Sequence, residues 1–179
     1  MGTGSTGNFM NVSRKLRMGV LLLLLLGTVG CDQAAKQLAR VRLGDGTIVR
    51  LPAGLGELRL AENPGAFLSL GATLPDWMRV WVFTIGVGVG LGALFLYLVC
   101  RREMNWLVFL GLALVLGGGI SNLIDRVWQA GLVTDYVLLR LGPLHTGVFN
   151  LADTLVLIGV GALAWEHWRQ RQPAAPAVE

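Results

Sequence analysis

The stretch LLLLLLGTVGCDQAAKQ, residues 21 to 37, decides how this chain folds. Preceded by Arg14, Lys15 and Arg17, it has the layout of a leader peptide: a basic start, an apolar run, and a Gly-Cys junction at which Cys31 would become the first mature, lipid-carrying residue. In the rival reading nothing is cut, and Asp32 and Lys36 ride on the outer end of a permanent transmembrane helix. Thr28 stands where such a junction prefers Leu, and three further membrane-length segments follow, so the second reading is the expectation.

Composition supports it. Of 179 residues, 54% are hydrophobic and only 15% charged, with a mean hydropathy of +0.61. A soluble domain of this size needs far more charge on its surface, so lipid is the main solvent. The net charge of +4 is scattered over short segments. Nucleic acid needs a basic stripe and is excluded as a partner. Cys31 and Cys100 fall at opposite membrane faces, so no disulfide is expected.

Two spans are plain: 21 uncharged residues lie between Arg79 and Arg101, and 21 more between Glu103 and Asp125. Each matches the roughly 20 residues that cross about 30 Å of hydrocarbon. The five-residue link RREMN forces them into an antiparallel hairpin. The other two apolar runs, Met18 to Cys31 and Thr154 to Trp165, hold 14 and 12 uncharged residues. At 1.5 Å per residue they cover about 21 and 18 Å, so each must extend through an acid, Asp32 in one case and Asp153 in the other. Ionisable groups cost about 2.5–3.5 kcal/mol at a bilayer centre and less near its edge, and usually persist there for a function.

The expected fold is therefore an all-α membrane protein of four transmembrane helices, at about 18–39, 79–101, 104–126 and 149–168. They form a single domain over 14–169, flanked by disordered ends at 1–13 and 170–179. Arg14, Lys15, Arg17, Arg101, Arg102, Arg169 and Arg171 all fall on one side, which places both termini in the cytoplasm. Outside the membrane, residues 41–76 form a small β-rich platform: VRL and TIVRL around the turn GDG, then ELRLAEN as a third strand. A second short outer segment, about 128–148, reads equally as a strand or an interfacial helix. In the second span, Gly86 with Gly90 and Gly88 with Gly92 are small-xxx-small pairs that would admit a close neighbour, and Gly117, Gly118 and Gly119 thin the third.

The polar residues converge. Asp32 and Lys36 are one helical turn apart and could serve structure or function alike. Asn122, Asp125 and Arg126 occupy adjoining faces at the outer end of the third span, as a site or as a headgroup anchor. Asn150 and Asp153 share a face of the fourth. With Asn63 and Asp135, all lie at the outer boundary, while the inner halves of the spans are nearly free of charge. His145 and His167 fall on opposite sides, so neither a zinc cluster nor a histidine-based nucleophile is available, and no metal or cofactor is expected. Carboxylates remain as acid and base.

In order, the motifs DQAAK (32–36), ENPGAF (62–67), SNLIDR (121–126), VTDY (133–136) and FNLAD (149–153) resemble those of the lipoprotein signal peptidases, or signal peptidase II. The resemblance covers roughly residues 14–169. It implies a bacterial inner-membrane aspartic endopeptidase, acting as a monomer at the periplasmic face. Its substrates are diacylglyceryl-modified prolipoproteins, held with surrounding membrane lipid and cut just before the lipidated cysteine. The catalytic pair maps onto Asp135 and Asp153; Asp32, Lys36, Asn63, Asn122, Asp125, Arg126 and Asn150 map onto supporting or substrate-contacting positions. Two departures stand out: Phe67 follows Ala66 directly where the family usually has a second Ala, and Ser121 replaces a common Gly. Two close carboxylates in a dry site share a proton, offering a base for water and an acid for the scissile carbonyl. The alternatives are a small ion or proton carrier, which would space its acids through the membrane, and a lipoprotein lipidated at Cys31.

Overall fold

The structure is a computed structural model that describes residues 14–172 except 66–70, 72 and 102. The departure at Ala66-Phe67, Arg102 and both expected disordered flanks up to 13 and from 173 lie outside the described residues. Helix α1 runs unbroken from Arg14 to Leu43, straight through Cys31. Strands β1 (Val49–Arg50) and β2 (Gly56–Asn63) follow, separated by a single turn of 3-10 helix at Pro52–Gly54. Helix α2 spans Asp76–Cys100 with a π-helical segment at Val80–Gly86. Asn105 then caps α3 (Trp106–Trp128), its side chain accepting from Leu107 N at 2.8 Å. Strands β3 (Val133–Leu141) and β4 (Leu144–His145) lead into α4 (Leu151–Arg171).

The surface is turned inside out relative to a soluble bundle. Leu22, Leu23, Leu26, Val89, Leu96, Leu157 and Ile158 face outward, whereas Asp32, Lys36, Asn63, Asp125, Asp135 and Asn150 are buried. Apolar groups gain nothing by hiding from lipid, and polar groups lose heavily by facing it. Helices α1, α2 and α3 are each long and apolar enough to cross a membrane. Helix α4 has 21 residues but carries Asp153, Glu166 and His167, which dilute its apolar character.

Two interiors divide the bundle along its length. At the hairpin end, Leu21, Leu98, Phe109, Ala113 and Leu116 form the apolar core, with the Arg17 guanidinium 4.8 Å from the Phe109 ring centroid. Toward the other end, near the sheet, the interior turns polar. Small residues make this possible. A Cβ on Gly118 would lie 2.5 Å from the Ala152 carbonyl, and one on Gly117 would lie 2.1 Å from Thr28 Oγ1. Gly111 and Gly159 meet backbone to backbone, so α3 and α4 approach closely along their length. The glycine pairs of α2 behave otherwise: Gly90 and Gly92 face open space and Gly88 makes only an ordinary contact.

The four strands form one antiparallel sheet in chain order. It differs from the expected platform in one place. The VRL at 41–43 is the last turn of α1, not a strand, because Arg40 and Arg42 sit favourably at a helix C-terminus and the turn begins only at Gly44. The segment after α3, open between strand and helix in the sequence, is strand β3, zipped to β2 with Ala61 opposite Asp135 and Asn63 opposite Val133. Phe149 closes onto β3, exchanging hydrogen bonds with Val137 at 2.9 Å in both directions. That pairing delivers Asn150 to Asp135. At its other end α4 continues to Arg171, past the expected start of the tail at 170.

Candidate active site

Asp153 lies in the first turn of α4, inside a reciprocal cap. Asn150 Oδ1 accepts from Asp153 N at 2.9 Å, and Asp153 Oδ2 accepts from Asn150 N at 3.3 Å. The amide in between, Ala152 N, donates 2.8 Å to Asp32 Oδ1. The first-turn N–H groups that a helix cannot satisfy internally are thus held by side chains from two elements. Asp135 points from β3 to the same place. Its Oδ1 accepts from Asn150 Nδ2 at 2.7 Å and its Oδ2 from Asn63 Nδ2 at 2.9 Å. One asparagine, Asn150, therefore holds both aspartates.

The orientation of these amides is dictated from Lys36. An ammonium can only donate, so Lys36 Nζ, 2.8 Å from Asn122, selects that side chain's Oδ1. Asn122 Nδ2 is left to donate to Asp153 Oδ1 at 2.9 Å. Similarly, the Asp153 amide claims Asn150 Oδ1 and turns Asn150 Nδ2 toward Asp135. Lys36 also pairs with Asp32 at 2.7 Å and Asp125 at 3.0 Å, all three essentially inaccessible. Arg40 adds a second cation, reaching Asp125 Oδ1 at 3.5 Å and Thr134 Oγ1 at 2.7 Å. Two carboxylates balance two cations, which is how buried charge is tolerated.

Arg126 completes the wall. It donates 2.7 Å to the Gly65 carbonyl, pinning the loop that Asn63 turns by accepting from Gly65 N at 2.9 Å. Asp125 and Arg126 are thus interior groups, not headgroup anchors: their exposures are 1% and 8%. Burial pushes the Asp135 carboxyl up to about 7. The charge of Asp153 acts in the same direction, while hydrogen bonds from Asn63 and Asn150 and the field of Lys36 oppose it. Of the two aspartates Asp153 is the more accessible, at 9% against 1%.

All nine residues singled out in the sequence meet in this network. The network also includes residues the sequence does not single out as site residues: Gln33, whose amide donates to Ser121 and Asp125 at 3.0 Å; Ser121, whose hydroxyl donates to Asp32 at 2.7 Å; Arg40; and Thr134, whose N–H donates to Asp125 Oδ2 at 3.1 Å. Arg40 was within reach, since 32, 36 and 40 mark one helical face. Among the described residues no group of three or more His, Cys, Asp or Glu could hold a metal ion.

Carboxylates sunk into one end of an apolar helix bundle mark a candidate functional site in a membrane protein. The family model described as Signal peptidase (SPase) II matches residues 24–169. The lipoprotein signal peptidase of Azoarcus sp. (strain BH72) is 32% identical over 148 residues, 83% of this chain and 82% of its own. That of Burkholderia vietnamiensis (strain G4 / LMG 22486) is 37% identical over 113 residues, 63% of this chain and 66% of its own. Two solved bacterial membrane enzymes share the fold. One aligns with a TM-score of 0.74 at 21% identity over 90% of this chain and 94% of that one, the other with 0.69 at 22% over 83% and 92%. The chain belongs to the signal peptidase II family, and so is a peptidase and a multi-pass membrane protein.

Proposed function

We propose that the chain is an aspartic endopeptidase of the inner membrane that removes signal peptides from diacylglyceryl-modified prolipoproteins, cutting just before the lipidated cysteine. The observation that carries this reading is the shared grip of Asn150 on Asp135 and Asp153. Asp153, the more accessible, is the base: it takes a proton from a water that attacks the scissile carbonyl. Asp135 holds its proton near neutral pH, donates a hydrogen bond to that carbonyl oxygen, and stabilises the negative charge that develops there. Collapse of the tetrahedral intermediate breaks the C–N bond, and the proton held by Asp153 passes to the departing amine. Asn63, Asn122 and Asn150 hold the pair, Arg126 fixes the loop beside it, and Asp32, Lys36 and Asp125 support the arrangement.

In the same reading four helices cross the membrane, with both termini cytoplasmic and the sheet on the periplasmic side. The diacylglyceryl chains stay in the bilayer while the peptide lies against the sheet at headgroup depth. No metal or organic cofactor takes part, and a monomer suffices. Clustering of Asp32, Asp125, Asp135 and Asp153 at one end of the bundle, with Glu166 the one buried acid at the other among the described residues, disfavours a carrier, and passage of α1 through Cys31 with twelve further residues disfavours a cleaved lipoprotein. Purified protein given lipidated and unlipidated precursor side by side tests the substrate. A lipidated product starting at cysteine is expected, with little cutting of the unlipidated form. Equal cutting of both would refute it.

A further inference from the structure

We propose that Ser121 is a positioning residue for Asp153, acting through Asp32; this rests on the reading of Asp153 as catalytic. Five side chains from α1 and α3 close a hydrogen-bonded ring. Asp32 Oδ2 meets Lys36 Nζ at 2.7 Å, Lys36 meets Asp125 Oδ2 at 3.0 Å, and Asp125 Oδ1 meets Gln33 Nε2 at 3.0 Å. Gln33 Nε2 then donates to Ser121 Oγ at 3.0 Å, and Ser121 Oγ donates 2.7 Å back to Asp32 Oδ2. Ser121, Asp32 and Lys36 are all at 0% exposure. Without the hydroxyl the ring opens on the Asp32 side.

The direction of each bond follows from chemistry. The Gln33 amide nitrogen has only hydrogens to offer, two of them shared among Asp125 Oδ1, Ser121 Oγ and the Ser121 carbonyl at 3.0 Å each, so it meets the serine oxygen as an acceptor and leaves the serine proton for Asp32. Asp32 is thereby held by two donors at Oδ2, while Oδ1 takes Ala152 N, the amide directly before Asp153. Rotation of the Asp32 carboxylate would move the first turn of α4, and Asp153 with it. The counterpart branch runs from Asp125 to Thr134 N, the amide directly before Asp135. Removing Ser121 Oγ leaves Asp32 Oδ2 with Lys36 as its one remaining partner among the described residues and so loosens the first branch.

The test uses the full chain in detergent with a lipidated precursor. S121A is expected to lower kcat about tenfold, the worth of one hydrogen bond to a charged group, with KM within about twofold because no substrate contact is lost. S121T, which keeps the hydroxyl, should recover most of the loss. Q33A should also lower kcat, and because Gln33 donates to Asp125 as well, Q33A/S121A should be no better than S121A. Wild-type kcat in S121A, or an equal loss in S121T, would overturn the proposal; if S121A does not fold, wild-type kcat in Q33A does so instead. An Asp153→Asn variant that still cuts would instead refute the catalytic reading itself.

Discussion

Lys36 is the residue on which the buried charges depend. It faces Asp32 and Asp125 at once and turns Asn122 toward Asp153. Lys36→Met leaves a carboxylate excess out of water, so a loss of about 3–5 kcal/mol is expected, read as a lower thermal midpoint in detergent. Asp135 gives a pH signature. Its carboxyl titrates near 7 in the folded protein against 3.8 ordinarily, so the folded chain binds the extra proton between those values. Stability therefore falls as pH rises through that window, and Asp135→Asn should flatten the slope. Cleavage should likewise decline as pH rises through about 7, where the proposed acid is lost. Spacing along α1 and α4 exposed the pairs Asp32–Lys36 and Asn150–Asp153 in the sequence. Gln33 was illegible because its partners Ser121 and Asp125 are remote in sequence, and Thr134 because its N–H reaches Asp125 only through the turn between α3 and β3.

Among the elements, the α3–α4 pair sets the precision of the site. Gly118→Ala puts a methyl against the Ala152 carbonyl and Val156 Cγ2, at 2.5 and 2.7 Å. Overpacking there should cost about 1–3 kcal/mol, and because Ala152 precedes Asp153, activity should fall further than stability alone explains. Gly90→Ala, with open space around it, should be neutral in both thermal midpoint and turnover. The sequence marked Gly117, Gly118 and Gly119 but also favoured the α2 pairs; spacing shows which glycines could meet a neighbour, not which face has one. Helices α2 and α3 were legible from unbroken apolar runs of membrane length. The end of α1 was not, since VRL alternates like a strand, and the tertiary partners of Arg40, Thr134 and Asp125, add to the favourable place of Arg40 and Arg42 at a helix C-terminus.

For the whole molecule, the division into an apolar hairpin end and a polar sheet end is what gives the bundle a direction. Cysteines placed at Asp45 and Arg101, with Cys31 and Cys100 replaced by Ser, should react with a membrane-impermeant maleimide from opposite sides of the inner membrane, Asp45→Cys from the periplasm. Labelling of both from one side would contradict the proposed topology. Sequence order of the five motifs already joined distant parts of the chain; what it could not supply was the register of β2 on β3 that carries Asn63 to Asp135. The most direct measurement of the account is cleavage of a lipidated precursor by Asp135→Asn and Asp153→Asn, each checked for a wild-type-like fold. Both should lose on the order of 10²–10⁴-fold in kcat. Near-wild-type turnover in either folded variant would contradict the two-aspartate site.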